Sequence, residues 1–151
     1  MQNSCKQVLL VEDSLPFRTF VSRDLLNCSG LQVVGEVSDG LSAIQLAQEL
    51  QPDLVILDIG LPKLNGIEAA REIRKRSPKA RIIFLTQESS AELAQAALET
   101  GAAGYVVKMA AGRELMPAIT AVLSGERFVS SAIRQQVQFP WGHSELCRTA
   151  V

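Results

Sequence analysis

Cysteine is scarce in this 151-residue chain. There are three, Cys5, Cys28 and Cys147, widely spaced and odd in number. They offer neither a disulfide framework nor zinc-ligand spacing, and they read as free thiols of a reducing compartment. Histidine is scarcer: His143 stands alone, near Trp141 in the C-terminal stretch, and no catalytic role is assigned to it. Charge of one sign is missing too. Fifteen basic residues against sixteen acidic ones give a net charge of −1, which gives no hint of a broad basic surface for nucleic acid. No apolar run reaches membrane-spanning length. The opening "MQNSCKQ" lacks the long apolar core of a secretory signal. These absences lead to the expectation of a soluble, cytoplasmic protein. Apolar residues are plentiful, at 47%, enough for a full core without staples. The length suits one domain and a little extra.

Short apolar runs alternate with stretches of helical period. "QVLLVED", "LQVVGEVS", "DLVILD", "ARIIFLT" and "AGYVVK" read as five strands. Between and after them lie five amphipathic helices. Ser14 is placed to cap the first and Asp39 the second. Gly101 is placed to end the fourth. Pro117 sits awkwardly inside the fifth and predicts a kink or a late start. This alternation predicts an α/β fold: a doubly wound, five-stranded parallel sheet with helices on both faces. The strands are continuous apolar runs, as a sheet covered on both sides requires. After about Ser124 the pattern changes. The segment has a possible short helix over 131–137 and a Pro-Trp-Gly break. The expected division is a domain over 5–125 and a linker or tail over 126–151.

In such a sheet, ligands bind beyond the carboxyl ends of the strands. The first strand ends in Glu12 and Asp13, the third in Asp58, the fourth in Thr86 and the fifth in Lys108. Three carboxylates close together repel unless a cation joins them. Oxygen donors of this kind suit Mg²⁺ or Mn²⁺. One carboxylate is alternatively a nucleophile toward phosphorus, with metal and ammonium neutralising the transferring group. The apolar run "LVILDIGLPKLNG" then serves to place Asp58 rigidly beside an open loop.

With these residues in view, the chain resembles a response-regulator receiver domain of two-component signalling over roughly 7–125. "LQVVGEVSDG", "PDLVILDIGLP", "NGIEA" and "GAAGYVVK" resemble the LuxR/NarL/FixJ-type subfamily, which usually carries a helix-turn-helix output. The resemblance implies a flavodoxin-like strand order 2-1-3-4-5. It implies that Asp58 accepts a phosphoryl group from a histidine kinase or a histidine phosphotransfer protein. Mg²⁺ would be held by Asp13, Asp58 and the backbone carbonyl of Gly60, with Glu12 acting through water. Thr86 and Lys108 would contact the phosphoryl group, and Tyr105 stands at the switch aromatic. Gly60 and Glu88 occupy the two places that tune phosphoryl lifetime. The chain would be no enzyme beyond its own phosphorylation and dephosphorylation. A homodimer or another partner would read its state. The output domain is expected to be missing from these 151 residues, so the chain alone should not read DNA.

Blander readings stand beside these. An aspartate after a strand is usually a cap or turn former, and Glu12-Asp13 would suit the first helix that way. Tyr105 alone would be a packed aromatic. The alanine-rich fourth helix is either ordinary packing or part of a partner surface. A phosphate-independent interaction module with the same fold is the main rival. An aspartyl-phosphate phosphatase would need a second acid two residues past the nucleophile, where Gly60 stands. A flavin protein would need hydroxyl and glycine residues in "EDSLPF". The stretch "MAAGREL" after Lys108 departs from the proline or polar residue of many receivers.

Overall fold

The computed structural model describes residues 5–137. The chain divides between Ala80 and Arg81 into two compact units. The first contains β1 (Lys6–Val11), α1 (Leu15–Leu26), β2 (Leu31–Val37), α2 (Gly40–Leu50), β3 (Leu54–Leu57) and α3 (Gly66–Arg76). β1 pairs in parallel with β2 on one side and β3 on the other. The chain runs left from β1 to β2, then right from β2 to β3. Right-handed crossovers therefore put α1 and α2 on opposite faces. β3 is buried at all four positions, whereas the edge strand β2 is only half-buried. The caps follow the sequence. The Ser14 hydroxyl accepts from the Phe17 amide at 3.4 Å, and the Asp39 carboxylate accepts from the Ser42 amide at 2.8 Å.

The second unit contains β4 (Arg81–Thr86), α4 (Ala91–Glu99), β5 (Gly104–Val107), a 3-10 turn (Lys108–Ala110), α5 (Ala111–Leu123), β6 (Phe128–Val129) and a 3-10 turn (Arg134–Gln136). Gly101 follows α4 at φ 96°, in the left-handed region where an L side chain is strained. α5 runs unbroken past Pro117, so the helix neither ends nor starts late there. Pro117 and Arg113, whose carbonyl loses its helical partner, are both exposed, so the interruption falls on the solvent side of the helix.

The strand order of the sheet is β2-β1-β3-β4-β5-β6. The expected order holds for the first five strands, but the expected count of five is corrected to six. β6 pairs in parallel with β5, through Gly104 with Phe128 and Tyr105 with Val129. Two residues are too few to show a strand period, and they lie in a segment of mixed composition. What fixes them is a buried polar anchor. The Glu114 carboxylate accepts from the Ser130 hydroxyl at 2.5 Å and from the Ser131 hydroxyl at 2.9 Å. The Ser130 oxygen in turn accepts from the Val107 amide at 2.9 Å. Glu114→Ala removes the acceptor from this buried set. The expected loss is about 2 kcal/mol of unfolding free energy in a urea titration. In place of the expected helix over 131–137, the structure has only the single 3-10 turn. Trp141, His143 and Cys147 lie outside the described residues.

Asp39 carries a pH-dependent share of stability. Its carboxyl is held below its ordinary value of 3.8, chiefly by the Ser42 amide, against the opposing effect of burial. A lowered folded value gives stability that is present above the unfolded pKa and lost as pH falls through the folded one. Thermal melts from neutral to acidic pH should lose a component below about pH 4. That component should be missing in Asp39→Asn, which keeps the cap.

Candidate functional site

In the first unit, Val11 pairs with Leu57, so the residues that follow each leave the sheet at the same end. Glu12 and Asp13 follow β1, and Asp58 follows β3. Strand hydrogen bonds continue one residue into both exits: the Glu12 amide donates to the Val37 carbonyl at 3.0 Å, and the Asp58 amide to the Val11 carbonyl at 3.1 Å. The three carboxylates offer ligand atoms that all lie within 4.8 Å of one another. Glu12 and Asp58 are buried and Asp13 is exposed. The structure thus brings together the three acids that the strand ends indicated.

Their surroundings differ. Glu12 accepts from the Ser14 amide at 3.0 Å, so it helps to order the start of α1. The Arg18 guanidinium donates to the Glu12 carbonyl at 2.9 Å and pairs with Glu36 at 3.4 Å. Asp58 Oδ1 accepts from the Gly60 amide at 3.3 Å. Gly60 is exposed, with open space where a side chain would stand. The donor set is all oxygen, one member is open to solvent, and the grouping is tight enough for one hard divalent cation. No other group of three such residues is found among the described residues.

In the second unit, Thr86 ends β4 and is buried. It pairs with Val107, and Lys108 is the next residue of that chain segment. Lys108 is half-buried and opens the 3-10 turn that leads into α5, which gives "MAAGREL" a defined conformation. Met109 beside it is 95% exposed. The Thr86 hydroxyl accepts from the Glu88 amide at 3.3 Å. Tyr105 is fully buried, tilted against Phe84 at 6.4 Å between ring centroids. Its hydroxyl donates to the Glu88 carbonyl at 2.9 Å. Residues 86, 88 and 105 therefore form one hydrogen-bonded group. The alanine-rich helix α4 borders a groove of about 500 Å³ lined by Ala91, Glu92, Gln95, Ala96, Glu99 and Gln136.

A family model for the response regulator receiver domain matches residues 8–120. The chain belongs to the response-regulator receiver family. Members of this family serve phosphorylation-dependent signalling in two-component systems. Among curated relatives, response regulator GacA of Pseudomonas aeruginosa is 36% identical over 131 residues, covering 87% of this chain and 61% of the relative. Response regulator UvrY of Escherichia coli is 38% identical over 130 residues, covering 86% and 60%. The chain thus spans about three-fifths of the length of these relatives. A solved LuxR-family two-component response regulator from Aurantimonas sp. SI85-9A1 superposes with a TM-score of 0.83 at 38% identity, over 88% of this chain and 95% of that one. The signal receiver domain of the putative regulator NarL from Mycobacterium tuberculosis gives 0.77 at 28% identity, over 82% and 99%. The expected LuxR/NarL/FixJ-type affinity of this receiver agrees with these relatives. No helix among the described residues is long and apolar enough to cross a membrane.

The strand-end residues were legible before the fold was known. The positive φ of Lys63 and the close backbone approach of Gly40 to Leu64 were not, because neither leaves a compositional signal.

Proposed function

We propose that this receiver is a cytoplasmic switch operated by phosphorylation of Asp58. The observation that carries the reading is the triad of carboxylates at the ends of β1 and β3. A carboxylate oxygen of Asp58 attacks phosphorus of a phosphohistidine on a kinase or phosphotransfer protein. The O–P bond forms as the P–N bond breaks, and the departing imidazole nitrogen keeps the bonding pair and takes up a proton from water. Asp13, Asp58 and the Gly60 carbonyl would hold Mg²⁺ or Mn²⁺, with Glu12 acting through water. The bound cation supplies charge neutralisation for the transferring group. Asp58 is held for this by the strand bond of its own amide and by the Gly60 amide on Oδ1.

Thr86 and Lys108 are assigned to the phosphoryl oxygens, one through its hydroxyl and the other through its ammonium group. Movement of the Thr86 hydroxyl breaks its contact with Glu88, and Tyr105 shares that residue through its own hydroxyl. Tyr105 is therefore assigned the switch role, with the buried rotamer as one of its two positions. Gly60 and Glu88 tune the lifetime of the phosphoryl group, since both sit two residues beyond a reacting strand end. The receiver proper is assigned to 5–125, and the segment from 126 packs back on it, adding β6 to its sheet. A homodimer or a partner protein reads the repacked surface, and the chain turns over no substrate besides its own phosphoryl group. Nucleic acid is not a partner of these residues.

Incubation with a small-molecule phosphodonor tests the proposal by intact mass. The expected result is a gain of one phosphoryl group that needs Mg²⁺ and is blocked by a chelator. No gain, together with failure to bind Mg²⁺, would contradict it and favour a phosphate-independent interaction module.

A further inference from the structure

The loop after Asp58 is unusual in its backbone. The Leu61 amide donates to the Ile59 carbonyl at 2.9 Å, which closes a three-residue turn around Gly60. The Leu64 amide donates to the Pro62 carbonyl at 2.7 Å, which closes a second around Lys63. Lys63 has φ 68°, and this positive-φ γ-turn is the rare and strained form. Strain of this kind persists only where the surroundings impose it.

The surroundings here are the N-terminus of α2. The Gly40 amide donates to the same Pro62 carbonyl at 3.4 Å. A Cβ on Gly40 would stand 2.1 Å from the Leu64 carbonyl oxygen, so only glycine lets the two backbones touch. The Asp39 carboxylate lies 3.8 Å from the Lys63 ammonium group. The loop returns to its origin through the Gly66 amide, which donates to the Ile59 carbonyl at 2.8 Å.

We propose that Gly40 and Asp39 are positioning residues: they form a seat that holds the strained turn at Lys63 and thereby aims the Gly60 carbonyl and the Asp58 carboxylate at the divalent cation. The proposal rests on the reading of the acidic triad given above. It explains why a lysine occupies a backbone conformation that favours glycine. The turn is fixed from outside by three contacts to one helix end: the Gly40 amide on Pro62, the close approach of Gly40 to Leu64, and the Asp39–Lys63 pair.

Gly40→Ala tests it, with Gly35→Ala as the control. Gly35 lies on β2, where an added Cβ would meet the Leu46 side chain at 2.7 Å, so this variant also loses stability. Titration calorimetry on the full chain should show the Mg²⁺ Kd rising at least about 5-fold in Gly40→Ala and staying within about 2-fold in Gly35→Ala. In the metal-free protein, the amide resonances of Asp58 and Gly60 should move in the first variant only. Equal changes in both variants, or none in Gly40→Ala, would overturn the seat. Should Gly40→Ala fail to fold, Asp39→Asn carries the test. It should raise Kd about 2-fold at low salt, and leave it unchanged in a Lys63→Gly background, where the turn needs no holding. An equal rise in both backgrounds would overturn the proposal. A wild type that binds no Mg²⁺ would refute the reading of the triad, while the amide shifts would still judge the seat.

Discussion

Exchange of Asp58 for asparagine is expected to abolish phosphoryl labelling and to leave the fold intact. The asparagine carboxamide has the size of the carboxylate and keeps an oxygen for the Gly60 amide. It is not a nucleophile toward phosphorus, so labelling should fall to background rather than decline. The substitution also removes one of three carboxylates grouped within 4.8 Å. Like charges so placed repel, and unfolding free energy in metal-free buffer should stay the same or rise by up to about 1 kcal/mol. Mg²⁺ adds the sharper contrast. At ten times its Kd, a ligand that binds only the folded state stabilises it by about 1.4 kcal/mol. Wild-type chain should show that gain in a thermal melt, and Asp58→Asn should show much less of it. A variant that still gains a phosphoryl group would place the acceptor elsewhere.

Gly66→Ala should, with Gly40→Ala, be one of the two most damaging single methyl groups in the first unit. A Cβ there would stand 2.1 Å from the Asp58 carbonyl oxygen and 2.7 Å from the Ile59 Cα. These neighbours are backbone, so no rotamer relieves the clash. Overpacking usually costs about 1–3 kcal/mol, and this site belongs at the upper end of that range or beyond it. The chain has two ways to relax, and each is informative. Withdrawal of α3 would break the hydrogen bond from the Gly66 amide to Ile59 and lower the denaturation midpoint. Displacement of the Asp58 carbonyl would instead disturb the acid that β3 delivers, and labelling would fall along with stability. Urea titration read beside the labelling rate separates the two. A midpoint equal to wild type would contradict the close approach of α3 to the end of β3.

The course of the chain was legible because helix and strand periods alternate cleanly. β3 and β5 are buried at all four positions, and each was visible as an uninterrupted apolar run. The acidic triad followed from one rule. In parallel strands the residues just past the carboxyl ends meet, so Glu12, Asp13 and Asp58 could be grouped before any distance was known. β6 escaped because its two residues depend on Glu114, which meets Ser130 across 16 positions of sequence. Of the two outcomes expected at Pro117, the late start does not occur, because a proline on the wet side of a helix costs less than one facing the core. The turn at Lys63 was illegible for a different reason. Its sequence is compatible with several turns, and the one observed is chosen by contact with α2. Tyr105 was placed correctly in its strand, but its bond to the Glu88 carbonyl depends on a loop path that the sequence does not specify.

The central claim is that Asp58 itself accepts the phosphoryl group. The direct measurement is residue-level trapping. The chain is phosphorylated with a small-molecule donor and Mg²⁺, the acyl phosphate is reduced with borohydride, and the modified residue is located by peptide sequencing in a mass spectrometer. Reduction confined to position 58, and dependent on Mg²⁺, is the predicted result. Reduction at position 12 or 13, or none at all in a chain that binds Mg²⁺ normally and is offered a competent kinase, would contradict the account.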